Sequence, residues 1–128
     1  MKTQQSGFTL IELIAVIVLL AIVAVIALSR FADLSGQAKQ AAVDAVAGDI
    51  SSAMAMNYAA ALAEFSGVPG ATYDPVDDCD DGDTLLVGGV VPTGYIITSA
   101  PAAALGIITS CTLTANGKAA TFRAIGAP

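Results

Sequence analysis

The chain has 128 residues, enough for one small folded domain and an additional long element. Hydrophobic residues make up 55% of it and charged residues only 12%, which excludes the composition of a disordered protein. The net charge of −6 argues against nucleic-acid binding through a broadly basic surface, and the lack of His removes the usual general base and the commonest metal ligand.

The first stretch, Met1 to Gly7, is short and polar with one positive charge at Lys2, which is typical of a targeting leader. An unbroken apolar run from Leu13 to Leu28 follows, without Pro, Gly or a charged residue. Such a run predicts a helix that is apolar on every side and that lies in lipid or against other copies of itself. The remaining chain is too short to wrap such a helix.

The residues Gly7-Phe8-Thr9-Leu10-Ile11-Glu12-Leu13, together with the apolar run behind them, resemble the class III signal of type IV pilins and pseudopilins. The resemblance implies that a membrane-bound prepilin peptidase cleaves after Gly7 and N-methylates the new terminus at Phe8. An ordinary secretory signal peptide and a plain signal anchor are the alternatives. The apolar segment is long for the first, and neither explains the Gly7-Phe8 pair or the carboxylate of Glu12.

The chain down to about Glu64 is also similar to pilins of the mannose-sensitive haemagglutinin type, notably at Ser29-Arg30-Phe31-Ala32-Asp33-Leu34 and at Ala38-Lys39. The family often carries a Gly inside the apolar run and a Pro at its end. Here those places are Ala21 and Ser29, which favour a helix. The sequence therefore leaves open whether the helix unwinds between them in a filament.

Glu12 is a lone carboxylate at the start of the apolar run, where a charge is costly unless it has a partner. Cleavage after Gly7 creates an ammonium at Phe8, one helical turn away on the same face. The resemblance implies that Glu12 of one subunit pairs with the Phe8 ammonium of a neighbour and so favours one axial stagger. The alternative is that Glu12 is an interfacial residue of a membrane anchor.

Beyond Arg30 a helix period continues without Pro until Pro69. Its apolar positions, three and four residues apart, are Phe31, Leu34, Ala38, Ala42, Ala45, Val46, Ile50, Ala53, Met54 and Ala61. This pattern predicts an amphipathic helix that ends near Phe65, where Ser66-Gly67 and Pro69-Gly70 are stop signals.

Cys79 and Cys111 follow the membrane segment, in the part that should be exported. In an oxidising compartment the simplest interpretation is one disulfide, and two unrelated buried thiols are the alternative. Cys79 lies in an acidic loop, Asp74 to Asp83. Its aspartates suggest calcium, but the EF-hand pattern fails because Cys79 takes a ligand place and Gly88 stands where the closing Glu should be. A solvated acidic loop is the favoured interpretation.

The last part of the chain changes to short β-branched runs separated by glycines and prolines. The predicted strands are Thr84–Val87, Tyr95–Thr98, Ile107–Thr114 and Ala119–Ile125, and Asn116-Gly117 predicts a hairpin between the last two. Alternation places Cys111 and Leu113 on one face of this sheet, with Thr112 and Thr114 on the other.

These elements predict an α+β chain with the type IV pilin fold. Its long N-terminal α-helix, with an apolar protruding half and an amphipathic half, packs against a small antiparallel β-sheet. The predicted divisions are a cleaved prepilin leader (1–7), a hydrophobic transmembrane and assembly helix (8–29), the amphipathic half of the same helix (30–65) and a globular β head with a disulfide (66–128).

The predicted function is a structural subunit of a type IV pilus for surface adhesion or motility, assembling through its N-terminal hydrophobic helix. The alternatives are a pseudopilin of a type II secretion system and a membrane-tethered binding domain that does not polymerise. We expect no enzymatic activity, catalytic residues, cofactor or metal, because the chain lacks a nucleophile elbow and a Cys-x-x-Cys motif as well as His. The expected partners are other copies of the chain, the bacterial inner membrane before assembly, and the prepilin peptidase with the pilus assembly machinery. The precursor should lie in the inner membrane and the product in an extracellular filament.

Overall fold

The computed structural model describes residues 7–102 and 105–127 of the chain. Its elements, in chain order, are the helix α1 (Leu10–Phe65), a short 3₁₀ turn (Asp80–Gly82) and the strands β1 (Tyr95–Thr98), β2 (Ile108–Ala115) and β3 (Lys118–Ile125). One long helix and a small antiparallel sheet confirm the predicted α+β class. The chain divides into an N-terminal unit, Met1–Gln37, and a C-terminal unit, Ala38–Pro128.

Helix α1 ends where the stop signals predicted, at Phe65. Gly67 follows with a φ of 79°, and its N–H donates to the carbonyl of Glu64 at 2.9 Å. The N–H of Val68 donates to the carbonyl of Ala63 at 3.0 Å. These two bonds are the Schellman motif, which satisfies the last free carbonyls and needs a residue that accepts a positive φ.

The core of the C-terminal unit lies between helix α1 and the sheet. The helix contributes a buried stripe at three- and four-residue spacing, formed by Val43, Ala47, Ile50, Met54 and Ala61. The predicted stripe was wrong in its first part, since Ala42 and Ala45 are exposed and Val43 and Ala47 are buried in their place. Alanines lie on several faces of the helix, so the sequence does not show which face is buried. In the structure it is the face that carries Ile50 and Met54.

The sheet has the order β1-β2-β3, and both pairs are antiparallel. Asn116 and Gly117 connect β2 to β3 with φ angles of 53° and 71°, which is the geometry of the predicted two-residue hairpin turn. Cys111 and Leu113 are buried while Thr112 and Thr114 are half-buried on the other face, so the predicted alternation is confirmed.

The predicted strand at Thr84–Val87 was wrong, because this segment forms turns after the 3₁₀ turn. The N–H of Leu86 donates to the carbonyl of Asp83 at 3.1 Å, and the N–H of Gly89 donates to the carbonyl of Leu86 at 2.9 Å. These local bonds take backbone groups that a strand would use in a ladder. Leu85 and Leu86 still pack against the core, so turns satisfy the apolar character of the run as well as a strand would.

Candidate processing and assembly site

The predicted cleavage junction lies just before helix α1. Gly7, Phe8 and Thr9 precede the first helical residue, Leu10, and all three are exposed. Phe8 is 85% exposed, and a Cβ built on Gly7 would meet no atom within 4 Å. An exposed, non-helical segment gives a peptidase access to the backbone. The preceding residues of the leader lie outside the described residues.

Glu12 has a partner within its own chain, which is Thr9. The backbone N–H of Thr9 donates to Glu12 Oε2 at 2.9 Å, and the Thr9 hydroxyl donates to the same oxygen at 2.6 Å. In the other direction, the N–H of Glu12 donates to Thr9 Oγ1 at 3.3 Å. Thr9 and Glu12 therefore form a capping box at the start of the helix, a reciprocal pair that satisfies backbone donors left free by the first turn.

This geometry leaves part of the Glu12 carboxylate open. Both bonds from Thr9 reach Oε2, and within residues 7–102 and 105–127 no hydrogen bond reaches Oε1. A carboxylate can accept about four hydrogen bonds. Glu12 can thus hold the first turn of its own helix while Oε1 accepts an N–H from another group.

Thr9 was not identified as a site residue from the sequence. The signal was present, because Thr9 and Glu12 have the Thr-x-x-Glu spacing of a capping box directly before an apolar run. The expected partner of Glu12 lies outside the chain, whereas the structure also gives it a local partner at Thr9.

The apolar run lies on helix α1 with its side chains exposed on all sides. No residue of its most hydrophobic 18-residue window is buried. Among the described residues, α1 is the one helix that is long and apolar enough to cross a membrane. Ala21 and Ser29 are both helical in the single chain. The surface of this segment is suited to lipid or to other apolar helices, and not to water.

Residues 2–28 match the family model described as the prokaryotic N-terminal methylation motif. The chain carries a type IV pilin-like prepilin signal. No curated protein and no solved structure matches the chain. The likeness to the mannose-sensitive haemagglutinin type therefore stays a prediction.

A prepilin signal of this class directs a chain to the inner membrane and to the prepilin peptidase, and it belongs to structural subunits that form pilus-like polymers. The match includes Gly7, Phe8 and Glu12, and it ends at Leu28, the last residue of the apolar run. The roles assigned to these three residues remain proposals.

The chain has one disulfide, between Cys79 and Cys111, with the two Cα atoms 5.8 Å apart. Both cysteines are buried, and they connect the acidic loop to strand β2. The N–H of Cys79 also donates to the carbonyl of Ala100 at 2.9 Å. The loop is thus attached to the sheet covalently and through its backbone.

Carboxylates in the acidic loop serve as hydrogen-bond acceptors for the backbone. Asp81 Oδ2 accepts the N–H groups of Asp77 and Asp78 at 2.8 and 2.9 Å. Asp78 Oδ1 accepts the hydroxyl of Ser99 and the N–H of Ala100, both at 2.8 Å. Among the described residues no group of three or more His, Cys, Asp or Glu side chains could hold a metal ion.

Asp80 is a neighbour of Asp78 in this loop, and its N–H donates to Asp78 Oδ1 at 3.5 Å. The interaction with Asp80 and then the bond from Ser99 lower the pKa of Asp78 to about 2. The same interaction raises the pKa of Asp80, because the adjacent carboxylate of Asp78 favours the protonated form of Asp80. Both shifts arise from contacts within the loop.

Proposed function

We propose that the chain is the structural subunit of an extracellular type IV pilus. The observation that supports this proposal most strongly is that three features occur together near the N-terminus. An exposed Gly7-Phe8 bond, a carboxylate with a free oxygen at Glu12, and a helix apolar on every side follow one another within the first 28 residues.

The apolar helix needs a partner that covers it. The side chains from Leu13 to Leu28 are almost all exposed in the single chain. Burial of apolar surface contributes about 25 cal/mol per Å². Lipid provides that burial for the precursor, and the same segments of neighbouring subunits provide it in a filament, so assembly exchanges one apolar environment for another.

A filament also needs an interaction that selects one axial stagger of neighbouring helices. Apolar surfaces alone permit many staggers, because the hydrophobic effect has no direction. After cleavage, Phe8 carries an ammonium, and Glu12 Oε1 of a neighbouring subunit is able to accept it while Oε2 remains on Thr9. A buried carboxylate and ammonium stabilise the stagger that brings them together, since either group alone would be strongly unfavourable there.

The disulfide favours the pilus over its nearest alternative, a pseudopilin of a type II secretion system. A major pseudopilin relies on bound calcium and usually lacks this bond, whereas Cys79 and Cys111 are joined here. The proposed route begins in the inner membrane, passes through the prepilin peptidase and the assembly machinery, and ends in a surface homopolymer that serves adhesion or motility.

The test separates the two contacts of Glu12. Glu12→Gln keeps an oxygen for the capping box but has no charge for an ammonium, whereas Thr9→Ala removes the hydroxyl of the box and keeps the charge. We expect Glu12→Gln and Glu12→Ala to abolish surface filaments, because one charge left alone in a buried pair costs about 3–5 kcal/mol at every subunit added. Thr9→Ala should reduce filament yield less.

The measurement is the yield of sheared surface filaments by electron microscopy, alongside the membrane level of mature subunit. Mass spectrometry of the subunit should give a chain that starts at methylated Phe8. Normal filaments from Glu12→Gln would refute the pairing. A monomeric, detergent-soluble product after cleavage would instead support a tethered binding domain, and an intact leader in filaments would refute the processing step.

A further inference from the structure

Two recesses lie along helix α1 in the C-terminal unit. The first, which we call the apolar groove, has a volume of about 440 Å³ and lies between the helix and the turns at residues 84–92. Its lining includes Met56, Leu86, Val87 and Val90, with one carboxylate at Asp49. Val87 is fully exposed, and Met56 and Val90 are each about two-thirds exposed. Such a cluster on a small unit is typical of a contact surface.

The second, the basic recess, has a volume of about 660 Å³ and lies where the helix meets β2 and β3. It is lined by Ser51, Ile108, Ser110, Thr121 and Arg123, together with the buried Phe122. Ile108 is 56% exposed. The N–H of Arg123 donates to the Ser51 hydroxyl at 3.1 Å, which fixes strand β3 against the helix at this point.

The two recesses lie on opposite flanks of the helix. Asp49 lines the groove and Ser51 lines the recess, and at 3.6 residues per turn these positions are about 160° apart around the axis. The buried stripe, represented by Ile50, lies between them. Because the two surfaces face in opposite directions, they cannot contact each other within one molecule, and each can contact only another molecule.

The two surfaces carry opposite charges, and the exposed Ile108 is the apolar side chain that the recess offers to the apolar groove. The groove has a carboxylate and no basic side chain in its lining, and the recess has a guanidinium and no acidic one. Within the part of the chain that the structure describes, neither Asp49 nor Arg123 forms an ion pair. A carboxylate on one surface and a guanidinium on the other favour the docking register that brings them together and disfavour other registers.

We propose that the basic recess of one copy of this chain docks on the apolar groove of the next copy. Ile108 enters between Val87 and Met56, and Arg123 pairs with Asp49. The contact joins two different surfaces, so it is heterologous and propagates into an open filament. The inference rests on the proposed pilus function and names a contact that the C-terminal units add to it.

The first experiment uses charge reversal in the full chain. Asp49→Arg and Arg123→Asp should each lower the filament yield about tenfold or more, since each places like charges together in the contact. The double variant should restore most of the yield. Lys118→Asp is the matched control, because it makes the same charge change on the same strand but lies outside the recess, and it should leave the yield unchanged.

The second experiment detects the contact directly. Val87→Cys combined with Ile108→Cys should give a ladder of multimers after treatment of cells with a short bismaleimide, because each copy then links to two others. Each single variant should give monomers, and Val87→Cys with Thr98→Cys, which places the second thiol on β1, should give no ladder.

The two experiments separate this contact from the pilus itself. A ladder without any wild-type filaments would support the contact and refute the pilus function. Wild-type filaments without a ladder, or a double reversal no better than the single variants, would overturn the contact while the pilus function stands. Normal filaments from both single reversals would also overturn it.

Discussion

Among single residues, carboxylates organise the backbone at two places in the chain. Glu12 and Asp78 do this in different units, the first by capping a helix and the second by holding the segment around Ser99 and Ala100. In both cases an oxygen accepts an N–H and a hydroxyl. Asp78 differs from Glu12 in having a second carboxyl group beside it, that of Asp80, which lowers the pKa of Asp78 further.

The pH dependence of the C-terminal unit should follow from Asp78. Its pKa is lowered to about 2 in the folded chain, so the stability it contributes is present above the pKa of the unfolded chain, about 3.9, and is lost as the pH falls through about 2. We expect Asp78→Asn to lower the melting temperature at pH 7, and the difference from wild type to shrink between about pH 4 and pH 2.

The raised pKa of Asp80 acts in the opposite direction, because its contribution is present at low pH and is lost as the pH rises. Asp83→Asn is the control, since the Asp83 carboxylate accepts no hydrogen bond from any described residue. Melting temperatures of the detergent-solubilised mature chain across this pH range provide the test. A difference between Asp78→Asn and wild type that does not change with pH would contradict the assignment.

At the scale of elements, the 3₁₀ turn approaches helix α1 closely through Gly82. A Cβ at Gly82 would lie 2.8 Å from Ile50 Cγ2 and 3.0 Å from Met54 Cε. These distances are shorter than van der Waals contact, so a larger residue would push the turn away from the helix. Gly82 is therefore needed for its small size, and the Schellman glycine Gly67 is needed for its backbone conformation.

We expect Gly82→Ala to destabilise the C-terminal unit by about 1–3 kcal/mol through overpacking. Gly48→Ala is the matched control, because Gly48 lies in the interior of α1 with open space around it and Ala favours a helix by about 1 kcal/mol. Urea unfolding of both variants should therefore show opposite shifts in midpoint. Equal midpoints for Gly82→Ala and wild type would show that Ile50 and Met54 repack without cost.

At the scale of the whole molecule, the disulfide links parts of the chain that are far apart in sequence. Cys79 and Cys111 are separated by 32 positions, and both side chains lie in the core together with Phe122 and Leu113. The bond stabilises the folded state mainly by lowering the conformational entropy of the unfolded chain, and this effect is large because the closed loop is long. Local interactions of helix α1 do not depend on it.

Removal of the bond should destabilise the C-terminal unit while the helix persists. For the Cys79→Ser, Cys111→Ser double variant we expect a loss of about 3–4 kcal/mol in the free energy of unfolding. The double change avoids an unpaired thiol. Urea unfolding followed by tyrosine circular dichroism tests the loss, and helical content at low denaturant is the control. An unchanged midpoint would contradict the energetic argument, and free thiols in the denatured wild-type chain would contradict the bond itself.

Features that depend on local chemistry could be predicted from the amino-acid sequence. The helix end at Phe65 and the hairpin at Asn116-Gly117 follow from residues that suit one backbone conformation, and the prepilin signal follows from contiguous residues that a peptidase must recognise as a linear segment. The α+β class could be predicted from the change in hydrophobic period after Asp83. Buried side chains recur every three or four residues in a helix and every second residue in a strand.

Where several local conformations suit the same residues equally well, long-range packing selects among them. The apolar run Thr84–Val87 suits a strand or a turn equally, and packing against the core selected the turn. The alanine-rich helix offered more than one apolar face, and contact with the sheet selected the stripe through Val43 and Ala47. The groove and the basic recess are formed by residues distant in sequence. They form through long-range packing, so no local sequence pattern predicts them.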